Sequence, residues 1–443
     1  MRNLRKIVAM ALACAMIVSL VACSSGTPAA SSGEAPAASE PASSAAPAGN
    51  QKLSVWHLWT TDSDANAKSF KTIFEKWQSE NPNVEVEIDA TENEAYKTKL
   101  KTAIAANEAP DVFFSWGGGF AKPFAEAGAL LPLDEYLANG GAKDRMLPGT
   151  TDNMTYGGKV YGLPFIMWVG TLFCNKEMFE ANGLELPATN DQLLAAVAGF
   201  KAKGIVPMTV GAKDGWPAMF NQNVYALRTA GADVCNATLG GEGSYDTPEM
   251  VQSAKLLDDL VKAGAFDPGA LALTQDEAKM PFLNGEIPML FLGSWMAGEI
   301  QDPNLSKVKD KVVAMNWPSI TGGKGDPNEI LGGAIDCFMV SANAADKDLA
   351  ANFAIYITEN MSKESFKLGA GIATWKFDMS DVTVDPLVAQ IIEIANKSTG
   401  AVLAWDTALE GEAAEQHKSL VQQIFAGQLT PENFAAEMQK LNP

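Results

Sequence analysis

Histidine is almost missing from this sequence. His57 and His417 are its only two, far apart along 443 residues, so a Ser–His–Asp triad or a histidine metal cage is short of parts. Cysteine is scarce as well. Of five, Cys14 and Cys23 lie near the start, while Cys174, Cys235 and Cys337 are widely spaced and show neither a disulfide framework nor a metal-binding spacing. Those three are expected to be reduced and buried, with one bridge plus a free thiol as the alternative. Positive charge is also short: 33 Lys and Arg stand against 53 Asp and Glu, for a net charge of −20. Such a surface repels nucleic acid and anionic lipid head groups and suits a soluble body with a neutral ligand.

Catalytic signatures are lacking too. There is no Gly-x-Ser-x-Gly elbow. Gly322-Gly323-Lys324-Gly325 has neither the upstream glycine spacing nor the hydroxyl residue after lysine of a phosphate loop, and reads as a turn. Gly117-Gly118-Gly119 follows a strand-like run but does not match the dinucleotide fingerprint. No cofactor and no metal are implied. The many carboxylates leave pairs open for glycoside hydrolysis, and no local motif singles one out.

What is present begins at the N-terminus. Arg2, Arg5 and Lys6 precede an apolar run from Ile7 to Ala22. A basic start, a short apolar core and small residues before a cut site mark an export signal; the run falls short of the ~20 residues a membrane span needs. It ends in Leu20-Val21-Ala22-Cys23, which resembles the bacterial lipobox, in which the cysteine is lipidated and becomes the mature N-terminus. Residues 24–50 are almost wholly Ser, Ala, Pro, Gly and Glu, too poor in apolar bulk to fold, and as a flexible tether would reach about 30 Å. The expected plan is a signal peptide over 1–22, then a lipidated Cys23 with a linker to residue 50. The body would be held at the outer face of the bacterial cytoplasmic membrane, extracellular or periplasmic.

The body, 51–443, is long for a single core, and two domains are the natural expectation. Lys52–Trp59 is strand-like, Asp62-Ser63-Asp64 can cap a helix, and Phe70, Ile73, Phe74 and Trp77 share one helical face. Val84–Ile88 alternates as a strand, a polar helix spans Asn93–Ala106, and Asp111–Phe114 is a short buried strand. This βαβαβ order favours a parallel sheet flanked by helices. Further strands are expected at 160–165, 170–174, 205–210, 287–292, 312–315 and 335–340. Helices are expected at 191–203, from Thr247, at 346–358, and from Asp385 to the end.

All ten tryptophans lie in the body. Trp59, Trp116, Trp216 and Trp295 occur where strands give way to glycine-flanked loops. In open α/β sheets ligands bind just beyond the strand ends, and flat indoles there can stack on the apolar faces of sugar rings while Asp, Asn and backbone groups hydrogen-bond hydroxyls. Trp116, Trp216 and Trp295 read as ligand contacts; Trp56 and Trp77 read as core; Trp168 and Trp405 fit either role.

At this point the body resembles the family 1 extracellular solute-binding proteins, the carbohydrate-capturing subunits of bacterial ABC importers, with the maltose-binding proteins as distant relatives. The resemblance rests on ordered blocks: Ala109-Pro110-Asp111-Val112-Phe113-Phe114 with Phe124, Gly128, Leu130, Pro132 and Leu133; Gly158–Pro164; Asn175-Lys176-Glu177-Met178-Phe179 with Gly183 and Pro187; and Phe282–Met289 through Gly293-Ser294-Trp295. It implies a two-lobed periplasmic-binding-protein fold of the α/β class, each lobe a mainly parallel sheet flanked by helices, with a hinge between. Lobe 1 would be 51–162 plus 325–376, and lobe 2 would be 163–324 plus 377–443. Ligand contacts carried over are Trp59, Asp62, Trp116, Gly117, Gly118, Trp168, Lys213, Asp214, Trp216, Trp295, Gly332, Gly333, Asp336, Trp405 and Asp406. Cys174 departs from a usual aromatic, and Gly118-Gly119 replace charged residues of the maltose relatives.

The reading that results is a monomeric, lipid-anchored, non-enzymatic protein that binds a carbohydrate, an oligosaccharide by expectation, and delivers it to membrane permease subunits. Two alternatives remain. One is a secreted glycosidase. The other is a binding protein for a peptide, polyamine or metal; a polyamine site would want several carboxylates beside the aromatics.

Overall fold

A computed structural model of the protein describes residues 51–441. The signal segment, Cys23 and the 24–50 linker lie outside the described residues. The described residues hold together as one compact unit built on two sheets. In chain order the main strands are β1 (Gln51–His57), β2 (Val84–Ala90), β3 (Val112–Trp116), β4 (Gly162–Pro164), β5 (Ile166–Asn175), β6 (Met208–Thr209), β7 (Met289–Gly293), β8 (Val312–Met315), β9 (Ile330–Ala334), β10 (Asp336–Val340), β11 (Ile372–Ala373) and β12 (Ala401–Val402). The helices used below are α1 (Ala65–Glu80), α2 (Asn93–Ala105), α3 (Trp216–Ala230), α4 (Gln275–Leu283), α5 (Met296–Gln301), α6 (Lys347–Lys367), α7 (Trp405–Ala408) and α8 (Gly411–Phe425).

The first sheet has the order β2-β1-β3-β10-β4; the second runs β12-β9-β5-β7-β6, with β8 and β11 also paired to β5. The opening βαβαβ unit forms as its sequence predicts. Asp64 caps α1 by accepting from the Asn66 and Ala67 amides, and the helix buries Phe70, Ile73 and Trp77. Trp77 meets Phe353 of α6 edge-on at 4.8 Å. β3 is buried throughout, as a short apolar run in mid-sheet should be. It is tied to α2 by the Tyr96 hydroxyl, which donates to the Phe114 carbonyl at 2.6 Å.

The chain changes sheets through single residues. β4 ends at Pro164 and β5 starts at Ile166, with Phe165 between them; β9 ends at Ala334 and β10 starts at Asp336, with Ile335 between them. The two passages lie side by side, since the Phe165 amide donates to the Asp336 carbonyl and the Gly117 amide to the Ile335 carbonyl. The Pro164 carbonyl is pinned by Thr374 Oγ1 at 2.9 Å and Trp375 Nε1 at 2.8 Å. A strand that enters by one passage and a strand that leaves by its neighbour must run in opposite directions. This sets β10 against β4 and β9 against β5, and the expected mainly parallel pairing holds only in part. β1 is parallel to β2 and β3, but β10 is antiparallel to β3 and β4, and β5 is antiparallel to β7, β8, β9 and β11. β9 (330–334) also pairs in the second sheet, although it falls in the 325–376 segment assigned above to lobe 1.

Other differences are local. The 205–210 strand shrinks to Met208–Thr209, and the 346–358 helix extends to Lys367. The C-terminal stretch is broken by β12 and by short turns between helices. α3 is an additional long helix where the sequence suggested a loop around Trp216.

Candidate functional site

The ends of β1, β3 and β7, the passages at Phe165 and Asp336, and the starts of α3 and α4 enclose a cavity of about 420 Å³. Its first wall comes from the first sheet. Trp59 follows β1, Trp116 ends β3, and Phe114 and Phe165 lie behind them. Trp59 and Trp116 are only 7% and 8% exposed. Trp59 meets Phe114 edge-on at 5.5 Å and Phe165 at 5.7 Å, and Phe114 meets Trp116 at 4.9 Å.

The second wall is a cluster of its own. Trp168 stacks on Phe220 of α3 at 5.3 Å and 14°. Trp295 stands edge-on to Trp168 at 5.2 Å, and Trp216 lies 6.2 Å from Trp295. Trp216 and Trp295 are half-buried, which leaves ring surface toward the cavity. Local sequence explains both positions. Gly215 at φ 77° turns the chain into α3, so Trp216 is its first residue with Pro217 after it, a favoured place for proline. After β7, a Cβ on Gly293 would sit 1.8 Å from the Trp295 ring; only glycine lets the indole fold back over the strand end. Ser294 holds the turn, its Oγ accepting from the Val169 amide at 3.1 Å.

Two buried lysines flank the aromatics. Lys97 of α2 bonds Glu94 at 2.9 Å and Asp406 at 3.0 Å and lies 5.1 Å over the Trp116 ring. Burial alone would lower its pKa, but Asp406 and Glu94 outweigh that and raise it, so it stays an ammonium. Lys279 of α4 likewise bonds Asp276 at 2.7 Å and Glu299 at 3.0 Å, and is raised against the effect of burial by Glu299 and Asp276. Burial pushes Glu299 up to about 7 despite Lys279. Asp336 is pushed up to about 7 by burial, with the Asp406 and Asp64 carboxylates adding and Lys97 opposing. Asp214 is also raised by burial, although it accepts from the Gln275 amide at 2.7 Å.

Of the residues expected at the site, Trp59, Trp116, Trp168, Lys213, Asp214, Trp216, Trp295, Asp336 and Asp406 line this cavity. The others do not. Asp62 is exposed and borders a neighbouring hollow with His57 and Ile88; Asp64, two residues on, faces the cavity instead. Trp405 is fully buried, stacked on His417 at 4.8 Å. Adjacent residues on a helical turn point about 100° apart, so Asp406 in the cavity turns Trp405 into the core. Gly117 and Gly118 are packing positions, where a Cβ would press on the Asn153 and Thr407 carbonyls at 2.5 and 2.6 Å. At Gly332 a Cβ would meet the Trp168 carbonyl at 2.3 Å, so this glycine backs the indole, and Gly333 packs on Leu403.

The sequence reading missed Lys97, Lys279, Glu299 and Phe220. A signal for the lysines existed: Lys97 is in helical register with buried Leu100 and Ile104, and Lys279 with buried Gln275 and Leu283. A lysine on a buried stripe needs carboxylate partners. The histidines are core groups. His57 Nδ1 accepts from the Trp59 amide at 3.3 Å, and burial lowers its pKa to about 4; His417, bonded to Gln222 at 3.0 Å, is lowered to about 3 by burial and Lys418. Cys174, Cys235 and Cys337 are free and buried. Among the described residues no helix is long and apolar enough to cross a membrane.

Residues 61–364 match the profile of the bacterial extracellular solute-binding protein family. The chain belongs to that family. A solved structure described under xylan utilisation by the thermophilic bacterium Caldanaerobius polysaccharolyticus is 44% identical with a TM-score of 0.85, over 88% of this chain and 99% of that one. A chitin oligosaccharide binding protein is 29% identical with a TM-score of 0.82, over 88% and 98%. An uncharacterised ABC transporter extracellular-binding protein of Pyrococcus horikoshii is 28% identical over 282 residues, 61% of this chain; the match spans 65% of that relative's length. Members of this family are extracellular or periplasmic binding proteins, and the two-lobed α/β fold described above is theirs.

Proposed function

We propose that the protein captures a short neutral oligosaccharide between its two lobes and hands it, unaltered, to the permease of an ABC importer, while a lipid on Cys23 holds it at the membrane. The observation that carries this reading is one cavity lined by five tryptophans drawn from the strand ends of both sheets and the start of α3, Trp59, Trp116, Trp168, Trp216 and Trp295. Indole faces suit the C–H faces of sugar rings, and the carboxylates beside them can accept hydroxyl protons. A volume of about 420 Å³ lies within the usual range of small-ligand sites, about 300–1,000 Å³. The 29% identical relative is a chitin oligosaccharide binding protein, and the 44% identical one is described in the context of xylan utilisation; both support the same class.

The lobes meet at the side-by-side passages at 165 and 335, which we assign as the hinge. The Lys97–Asp406 and Glu94–Lys418 pairs, 3.0 and 2.7 Å, join α2 to α7 and α8 across the cleft and favour closure. A ligand shifts the open–closed balance by its extra affinity for the closed form.

The number of carboxylates in the wall favours one second reading, a cationic solute such as a polyamine. Against it, the acids nearest Lys97 and Lys279 are already satisfied by those ammonium groups. A thermal-shift screen of xylotriose, cellotriose, chitotriose, spermidine and peptides separates the readings. A neutral trisaccharide at a hundred times its Kd should stabilise by about 2.7 kcal/mol, and chromatography should recover it intact. A shift with spermidine alone, or cleavage of the sugar, would overturn the proposal.

A further inference from the structure

Seven carboxylates and three ammonium groups line the cavity. Of the three cations, Lys97 and Lys279 are each held by two carboxylates at bonding distance, and Lys213 is exposed to solvent. No buried cation in the wall is left to receive an anion. The acids are less fully occupied. Asp214 accepts one backbone hydrogen bond, from Gln275. Asp336 stands at the β9–β10 passage with Asp406 and Asp64 as charged neighbours and Lys97 as the sole opposing one. Its carboxylate takes no hydrogen bond from any described residue, although it lines the cavity floor between the two walls. It is an acceptor waiting for a hydroxyl.

Resting on the carbohydrate reading above, we infer that the site selects by charge: it admits neutral oligosaccharides and rejects the acidic ones, aldonates and uronates, that carry a carboxylate into the space beside Asp336 and Asp214. A neutral hydroxyl donates to these acceptors. A carboxylate has no proton to give them, and in a cavity that sheds water its repulsion is poorly screened. The aromatic walls fix the sugar rings, which holds the charged group close to the acids instead of letting it turn away. Asp336 is the principal specificity-determining residue, because it is the acid without a protein partner.

The test uses ligand pairs that differ only in charge. Xylotriose and cellotriose are each oxidised at the reducing end to the aldonate or reduced there to the alditol, which gives the same open-chain terminus with and without a carboxylate. Titration calorimetry at pH 8 and low salt should find the aldonate at least tenfold weaker than the alditol, about 1.4 kcal/mol, with the gap narrowing in 0.5 M salt. In the Asp336→Asn protein the gap should shrink at least threefold, and circular dichroism with the Tm reports whether that variant is folded; Asp214→Asn is the second variant should it not be. Equal affinity of aldonate and alditol, including failure of both, or an unchanged gap in the folded variants, overturns the charge selection. Failure of unmodified xylotriose, cellotriose and chitotriose alike overturns instead the carbohydrate reading on which it rests.

Discussion

The two walls of the cavity are built differently. On the first, Trp59 and Trp116 are less than a tenth exposed and interlock edge-on with Phe114 and Phe165 and at a tilt with Phe70 and Phe338; they are the rim of a hydrophobic core. On the second, Trp216 and Trp295 are half-buried and rest mainly on one another, on Trp168 and on Phe220. Ring surface on the first wall is bound up in folding. On the second it remains open, and a ligand can cover it without taking it from the core. Affinity and stability should therefore separate across the cleft.

The largest effect should come from the first wall. Trp116→Ala empties a core-edge site and removes the ring under Lys97, so stability should fall by about 3–5 kcal/mol, measured by urea unfolding, with binding lost in parallel. Trp295→Ala should do the reverse: sugar affinity falls more than tenfold, about 1.4 kcal/mol or more, while stability falls by less than about 2 kcal/mol. Calorimetry and Tm on the same sample decide it, and equal stability losses in the two variants would erase the distinction between the walls. A pH-dependent effect concerns the floor. Folding lifts Asp336 to about 7, above the ordinary value near 4. The folded state thus holds a proton that the unfolded chain releases, and stability falls as pH rises through that window. Asp336→Asn should raise stability at pH 8 and leave it nearly unchanged at pH 4; a gain independent of pH would show that the carboxyl carries no such penalty.

Much of this arrangement could be read in advance because it is local. The Asp64 cap, the Phe70-Ile73-Trp77 stripe and the buried run at Phe113-Phe114 each announce their element within a few residues, and the glycine beside Trp295 marks the tight turn that aims it. α3 gave no such signal. From Pro217 to Ala230 its residues are all buried, the polar Asn221, Gln222, Asn223 and Arg228 among them, so it has no solvent-facing side to mark its periodicity. Trp405 misled for a related reason: which side of a single helical turn faces the cleft depends on packing against His417 and Tyr245, partners distant in sequence. The ion pairs from Lys97 to Asp406 and from Lys279 to Glu299 span 309 and 20 residues; a lysine on a buried stripe predicts that a partner exists but not where. The antiparallel pairing of β5 with β9 follows from the paired passages, which no single strand reveals.

The proposed function requires both walls to hold one sugar at once. A crystal structure with xylotriose or cellotriose bound answers this directly. The account predicts sugar rings within about 4.5 Å of Trp216 or Trp295 on one side and of Trp59 or Trp116 on the other, with a hydroxyl donating to Asp336. A sugar seated outside this cavity, or touching a single wall with Asp336 still unpaired, would contradict it.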